Sequence, residues 1–527
     1  MRAPDEADSR PAGLGGSLAG RSVCVNGLGI SGPPVARALA ARGARVTAVD
    51  GRDDQGNRQV ADELAALGVT VVLGPEPRLP AGTDLVITTP GWRPGTPLLA
   101  AATAAGIPVI GDVELAWRLR PVLPGGARQD WLAVTGTNGK TTTVRMLAAM
   151  LGAAGHRTIA AGNVGLSVVD AVTEPEPYPV IAVELSSFQL HWSTSLRPFA
   201  AVVLNVAAHH LDWHGDIESY ARAKGRIYGP GTVAVCNADD RRSAELAAAA
   251  AGTARVVAFR LGAPGPGELG IAGVSGAMGS GVSPEKQSVS PEASTAGDVL
   301  LDRAFGDPDG EGSSGVILAD VGDVRPQVPH NVADALAAAA LARAYGAPPA
   351  AIRAGLAAFQ PEPHRMTLVA RVGGVDYVDD SKASNPHAAA ASLASYPSVV
   401  WIAGGLFRGA GADIDRLVDA AAPRLRAVVL LGADRGVIRR SLERLAPGVP
   451  VAEVVGADAS AMDDVVAQAA RLAVPGDTVV LAPAAQSFDM FRDYPARGDA
   501  FAAAVRRQAE GEPTSARGLP TAHGKKS

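Results

Sequence analysis

Short apolar runs recur along this chain, and each ends in glycine or a polar cluster before an alanine-rich stretch with helical spacing. The first unit reads VCVNGLGISGPPVARALAARGARVTAVD, from Val23 to Asp50. Its opening run is too short for a helix and leads into glycines, so it predicts a strand buried on both faces. Gly27, Gly29 and Gly32 fit G-x-G-x-x-G, and Pro33 and Pro34 suit a helix's first turn, where an amide hydrogen is expendable. This is the start of a Rossmann-type βαβ unit. TVVLG, DLVITTP and IPVIGD supply further strands, which closes a first domain near Asp112.

The same alternation resumes with WLAVT, VIAVELSS, AAVVLNV and GTVAVCN, and again with GVDYVDDS, VVWIAGG, AVVLLGA and DTVVLAP. Strands alternating with helices predict mostly parallel sheets covered on both faces. The fold class is therefore α/β in three domains: a Rossmann-like domain over 1–112, a central P-loop-type ATPase domain over 113–361 and a Rossmann-like domain over 362–511. The helix HNVADALAAAALARAYG precedes the second boundary, at QPEPHRM. Between about 262 and 298 the chain turns to Gly, Ser, Pro and Glu, too little apolar surface to offset ordering entropy, which predicts a flexible insertion. The first residues and the stretch 512–527 are polar and predicted to be disordered tails.

Length agrees, since 527 residues exceed what one core usually supports. A net charge of −5 and a pI near 6.0 give no basic field, which argues against nucleic acid or an anionic membrane as partner. Cys24 and Cys236 each fall in a predicted strand, leaving no disulfide framework and no zinc spacing. MRAPDEADSRPAGLGG lacks the apolar run of a signal peptide, and no stretch is long and apolar enough for membrane insertion, so a cytoplasmic enzyme is expected.

The chemistry concentrates first at WLAVTGTNGKTTTVRML. The usual phosphate loop is G-x-x-x-x-G-K-[ST], but here Gly136 stands only three positions before Gly139, and Val134 fills the place of the first glycine. A strand before and a helix after still aim backbone amides at phosphate. Gly136, Thr137, Asn138, Gly139 and Thr142 belong to this loop, with Lys140 reaching the β/γ phosphates and Thr141 reaching Mg²⁺. Downstream, VELSSFQLHW and NVAAHHLDWHGDIESYARAKGRIY place Glu184, His210 and Lys224 beyond strand ends, as candidates for a metal layer. Taken singly, each has a plain alternative: a capping acid, a structural histidine, a solvated helix lysine.

Together, TGTNGKTT, ELSSFQL, the His-Leu-Asp-Trp-His-Gly stretch, YARAKGRIY, HNVADALAA, PHR and DDSKASNP occur in an order that resembles the Mur ligase family, ATP-dependent amide-forming enzymes of peptidoglycan synthesis. The resemblance spans about residues 20–510. ELSSFQL and DDSKASNP point to the glutamate-adding member, so the implied substrates are ATP, UDP-N-acetylmuramoyl-L-alanine and D-glutamate, joined through an acyl phosphate. The resemblance implies that Lys140 contacts ATP phosphates and that Thr141 and Glu184 serve Mg²⁺. It also implies that Lys224 is carbamylated and joins Glu184 and His210 around a second Mg²⁺. Asn163 then faces the muramoyl part, and Asn331, Arg365 and Asp380 face the nucleotide. Lys382, Ser384, Arg408, Ser487 and Tyr494 would hold D-glutamate, while Gly29, Ile30, Ser31 and Asp50 would hold uridine diphosphate. A monomer is expected.

The chain departs from the family pattern at several places. Ala208 and His209 replace the usual Pro-Asp, and spacing favours His210 over His209 for the metal. Asp334 stands where Asn is common, Ser384 where Thr is, and Leu406 and Arg408 where many relatives have Asp and Lys. An arginine can still pair with a carboxylate, but with other reach and donor geometry. The rival readings are another amide ligase of the superfamily, such as one extending folate, a nicotinamide-dependent oxidoreductase built on GLGISG and Asp50, and a noncatalytic nucleotide binder.

Overall fold

The computed structural model describes residues 17–163, 165–273, 297–306, 315–407, 411–456 and 458–511. Both predicted tails, Arg408 and the middle of the predicted insertion, residues 274–296, lie outside the described residues.

The first sheet holds β1 (Ser22–Asn26), β2 (Arg45–Asp50), β3 (Thr70–Leu73), β4 (Leu85–Thr88) and β5 (Val109–Gly111), in the order β3-β2-β1-β4-β5. Every pairing is parallel. Strand order reverses between β1 and β4, so the crevice for a ligand opens at their C-terminal ends, where Gly27 and Thr89 follow. The helix Gly32–Ala40 starts on its two prolines and buries Val35, Ala36 and Leu39 against the sheet.

The second sheet contains β6 (Asp130–Thr135), β7 (Ala160–Gly162), β8 (Val180–Glu184), β9 (Ala200–Val203), β10 (Val233–Asn237), β11 (Arg255–Phe259), β12 (Glu268–Gly273), β13 (Asp298–Asp302) and β14 (Val316–Asp320). Its order is β14-β13-β12-β11-β10-β9-β6-β8-β7. The pairings are parallel from β7 to β12, and β12, β13 and β14 pair antiparallel. The stretch read as a flexible insertion from 262 therefore carries a strand at each end of its described part. Leu269 and Leu300 are fully buried on one face, and Gly270 lets the backbone pass Gly262, whose carbonyl oxygen would lie 2.3 Å from a Cβ there. Three helices, Lys140–Ala153, Pro329–Ala344 and Pro349–Ala358, cover one side of the sheet with Met146, Leu147, Leu336, Leu341 and Ile352. The Pro329–Ala344 helix is alanine-rich because it is buried nearly all round, where larger side chains would not fit.

The other side of the second sheet shares a continuous core with the first sheet. Val25 and Ile87 from the first belong to the same cluster as Ala133 and Val183 from the second. The helix Asp112–Leu119 is the joint: Trp117 meets Trp131 edge-on at 5.2 Å. Glu114, fully buried, accepts from the Thr194 amide at 2.8 Å, the Ser195 amide at 3.0 Å and the Ser195 hydroxyl at 2.5 Å, and pairs with Arg118. Those bonds hold its carboxyl below the usual range against the cost of burial.

The third sheet holds β15 (Thr367–Val372), β16 (Val375–Asp379), β17 (Val399–Gly404), β18 (Leu425–Leu431), β19 (Val451–Glu453) and β20 (Thr478–Leu481), in the order β15-β16-β20-β17-β18-β19. Among its described strands only the β15–β16 pairing is antiparallel. The period of two sorts β17 between two cores: Val400 and Ile402 enter one, Val399, Trp401 and Ala403 the other. By compactness the described chain divides into two units, one reaching Phe359 and one starting at Gln360. Among the described residues no helix is long and apolar enough to cross a membrane.

Candidate active site

At the end of β6 the chain turns through Gly136–Gly139 and enters the helix at Lys140. Gly139 has φ +84°, and a Cβ there would lie 2.3 Å from Asp334 Oδ1, so conformation and space both require glycine. Asn205, just past β9, holds the loop: its Oδ1 accepts from the amides of Thr137 at 3.1 Å and Asn138 at 2.9 Å. The Thr137 hydroxyl lies 3.2 Å from the Tyr220 hydroxyl and accepts from the Ala207 amide at 3.0 Å.

Two lysines converge on the loop. Lys140 Nζ donates to the carbonyl oxygens of Gly136 and Thr137, both at 3.0 Å, and Lys224 Nζ donates to the same Gly136 oxygen at 2.8 Å. Lys224, on the helix Ile217–Gly225, is 1% exposed and lies 4.5 Å over the Tyr220 ring. Burial first and Lys140 second push its pKa far below that of an ordinary lysine, against the pull of Glu184. Lys224 is thus a buried amine, not the solvated helix lysine.

Glu184 ends β8 and is 1% exposed. Its Oε2 accepts from Thr141 Oγ1 at 2.8 Å and its Oε1 from Asn163 Nδ2 at 3.2 Å. Oxygen donors of this kind, a hydroxyl and one carboxylate beside a phosphate loop, suit Mg²⁺, which keeps several waters and takes the rest from substrate phosphates. Among the described residues no group of three or more His, Cys, Asp or Glu converges as a metal cage.

His210 caps the short helix Leu211–His214 with φ +55°. Partial desolvation, then the charges of Lys224 and Lys140, lower its pKa, although the residue as a whole is exposed. The His209 and His210 rings lie 3.8 Å apart, and Phe188 is 4.8 Å from His210. Asn331 lies on the Pro329–Ala344 helix, its Nδ2 donating to Pro326 O at 3.0 Å.

In the first sheet, Asp50 holds the glycine turn: one oxygen accepts from the Leu28 amide at 2.7 Å and the other from the Arg52 amide at 2.9 Å. Gly29 and Ile30 are exposed at the tip, and Ser31 precedes the helix. The Ser31 side chain also bonds Asp112, whose carboxyl burial raises to about 6 against hydrogen bonds from Ser31, Val113 and Gln189.

The second unit places DDSKASNP after β16, the GGLF turn after β17 and AAQSFDMF after β20, at the C-terminal ends of three neighbouring strands. Leu406 and Gln486 exchange backbone hydrogen bonds at 2.8 and 2.9 Å. Lys382 Nζ lies 3.9 Å over the Tyr494 ring, and the Ser384 amide donates to Lys382 O at 2.7 Å. Ser487 is buried, and its carbonyl accepts from Phe491 N at 2.8 Å. Buried Arg497, which sequence reasoning missed, ties two of these loops: it donates to Ser381 Oγ at 3.0 Å, Ser381 O at 2.8 Å and Ala485 O at 3.1 Å. Asp380 is raised to about 6, by burial first, against hydrogen bonding from Ser392 and the charge of Arg365. Arg365 Nε donates to Glu362 at 2.8 Å. Thr141, Glu184, Asn163, Lys140 and Lys224 are thus joined in the first unit, and Lys382, Ser384 and Tyr494 adjoin in the second.

Three family descriptions match this chain: a Mur ligase MurD-like N-terminal domain at 21–111, a Mur ligase middle domain at 134–265 and a Mur ligase glutamate ligase domain at 364–485. The UDP-N-acetylmuramoylalanine–D-glutamate ligase of Thermobifida fusca is 57% identical over 93% of this chain and 99% of its own length. That of Streptomyces avermitilis is 54% identical over 92% and 98%. Among solved structures, UDP-N-acetylmuramate–alanine ligase MurC of Thermotoga maritima has TM-score 0.51 at 19% identity, covering 93% of this chain and 99% of that one, a likeness of fold.

Proposed function

The chain belongs to the Mur ligase family, and from that premise we infer that it joins D-glutamate to UDP-N-acetylmuramoyl-L-alanine at the expense of ATP, an amide-forming step in peptidoglycan precursor synthesis. The carrying observation is local: the Thr141–Glu184 pair stands beside a phosphate loop whose Gly136 carbonyl takes both Lys140 and Lys224. Amide formation from a carboxylate needs an activated leaving group. Transfer of the γ-phosphoryl group of ATP to the alanyl carboxylate supplies it, and the glutamate amine then displaces phosphate.

In this reading the loop Gly136–Thr142, with Lys140, holds the phosphates, with Asn331, Arg365 and Asp380 on the nucleotide side. Lys140 offsets negative charge as the phosphoryl group moves. Thr141 and Glu184 hold Mg²⁺, with Lys224, as its carbamate, and His210 completing a second position. Bound there, Mg²⁺ would offset the charge of the phosphates. An uncharged amine is the form that adds CO₂, releasing one proton and becoming an anionic oxygen donor, and burial followed by the charge of Lys140 shifts Lys224 toward that form. Asn163, bonded to Glu184, faces the muramoyl part. The turn at Gly29, Ile30, Ser31 and Asp50 takes uridine diphosphate, while Lys382, Ser384, Arg408, Ser487 and Tyr494 take D-glutamate. The enzyme acts as a cytoplasmic monomer with two Mg²⁺ ions.

The test is phosphate release from purified protein with ATP and Mg²⁺. Release requires UDP-N-acetylmuramoyl-L-alanine and D-glutamate together, with L-glutamate and meso-diaminopimelate poor. Equal rates with either substitute overturn the substrate assignment.

A further inference from the structure

Gly27, directly after β1, has φ +104°, and a Cβ there would lie 2.2 Å from Thr89 Oγ1 and 2.6 Å from Trp92 Nε1. The indole nitrogen is therefore pressed against the glycine turn. The far edge of the same ring reaches the end of β2, where a Cβ at Gly51 would lie 3.7 Å from Trp92 Cη2. One side chain thus spans the two segments, Gly27–Ser31 and Asp50–Gly51, that line the crevice of the first sheet.

The plain reading of Trp92 is a core residue, because it packs on the small cluster of Cys24, Val49, Val86, Leu98 and Leu99. That accounts for the carbon face of the ring and leaves the nitrogen unexplained. A buried or half-buried Trp N–H normally finds an acceptor, yet among the described residues Trp92 Nε1 donates to no protein atom, and it is not one of the donors sealed from solvent. It lies instead at the open C-terminal edge of a parallel sheet, where ligands bind.

The backbone beside it is braced from the second sheet. Trp213 Nε1 donates to the Gly91 carbonyl at 3.1 Å, and Arg93 pairs with Asp212 at 2.9 Å. The exposed ion pair contributes little. Trp213 is better seated, since Phe188 and His191 each pack on its ring with centroids 5.0 Å away.

We propose that Trp92 is a binding residue of the nucleotide pocket, its indole N–H donating to a diphosphate oxygen, and that Trp213 is the positioning residue that fixes it through Gly91. The inference rests on reading the first sheet as the site of uridine diphosphate. It adds a donor outside the glycine fingerprint, and it ties that pocket to the loop carrying His210.

Isothermal titration with UDP and with UDP-N-acetylmuramoyl-L-alanine tests it. Trp92→Phe keeps an aromatic ring of smaller span and removes the donor, so Kd for both rises about tenfold, the size expected for one hydrogen bond to a charged group. KM for the muramoyl nucleotide follows, and the Kd of an ATP analogue moves less than about twofold, below the size of one such bond. Trp213→Phe weakens UDP in the same direction, and adding it to Trp92→Phe brings no further loss, because Trp213 acts through Trp92. In the unmutated chain, whose six tryptophans give six indole signals, the ¹⁵N-labelled Trp92 N–H moves downfield on adding UDP. That second readout stands even if Trp92→Phe folds poorly. Unchanged UDP affinity in Trp92→Phe, or an unmoved Trp92 signal while UDP binds, overturns the proposal and leaves the reading of the pocket intact. Absence of any UDP binding by the unmutated chain removes the reading itself, and the proposal with it.

Discussion

Burial and the charge of Lys140 both disfavour the charged form of Lys224, against the pull of Glu184, and the two lysines share the Gly136 carbonyl. If Lys224 serves as a carbamate, Lys224→Ala removes an anionic ligand and cuts phosphoryl transfer at least about a hundredfold, roughly 2.7 kcal/mol of transition-state stabilisation. The space it leaves admits a small carboxylate, so formate or acetate restores part of the rate and chloride at equal ionic strength does not. Full activity without added carboxylate returns Lys224 to a structural role. At this scale the sequence was legible where residue type and chemistry coincide: Lys140, Thr141 and Glu184 follow strands and converge. It was silent on Asn205, Arg497 and Asp112. These residues act by holding loops together, and the identity of a loop's partner depends on which strands become neighbours. The only cue for Asn205 was a polar residue immediately after an apolar run.

Among elements, the phosphate turn and its helix depend on a position where side chains are excluded twice over. Gly139→Ala forces an L-residue into the left-handed region, a strain of roughly 1–3 kcal/mol, and drives its Cβ into Asp334. Gly139→Ala therefore loses MgATP affinity at least about tenfold, a 1.4 kcal/mol effect, as read by titration. Adding Asp334→Ala recovers part of that loss by removing the collision and leaving the strain. No recovery would mean that strain alone sets the effect. The central strands of all three sheets were legible, because strands buried on both faces are continuous apolar runs. The edges were not. β7 and β19 are each three residues long, and β15 pairs antiparallel at a sheet edge with half-exposed side chains. β12, with glycines at 270 and 273, was hidden in a composition that suggested no order, because its stability comes from pairing with β13 across the chain, not from its own residues.

At the scale of the whole molecule, the cores define what can fold by itself. The second unit has two clusters of its own, one on each face of its sheet. A fragment of residues 360–511 is therefore expected to give a cooperative thermal transition with a dispersed proton spectrum, and 17–359 to do likewise. A fragment ending near 120 leaves half of a shared cluster exposed, with Glu114 stripped of the Thr194 and Ser195 amides, and should aggregate or remain molten, which dye binding and near-UV dichroism would reveal. A cooperative native transition in that short fragment would refute the shared-core account. The Asp112–Leu119 helix thereby sets a rule for recombination. A chimera that imports the first sheet from a relative must carry that helix and a matching 194–195 turn as one cassette, or its seam will run through a buried carboxylate, so exchange between such genes is expected to succeed when the crossover falls beyond Phe359 and to fail at Asp112.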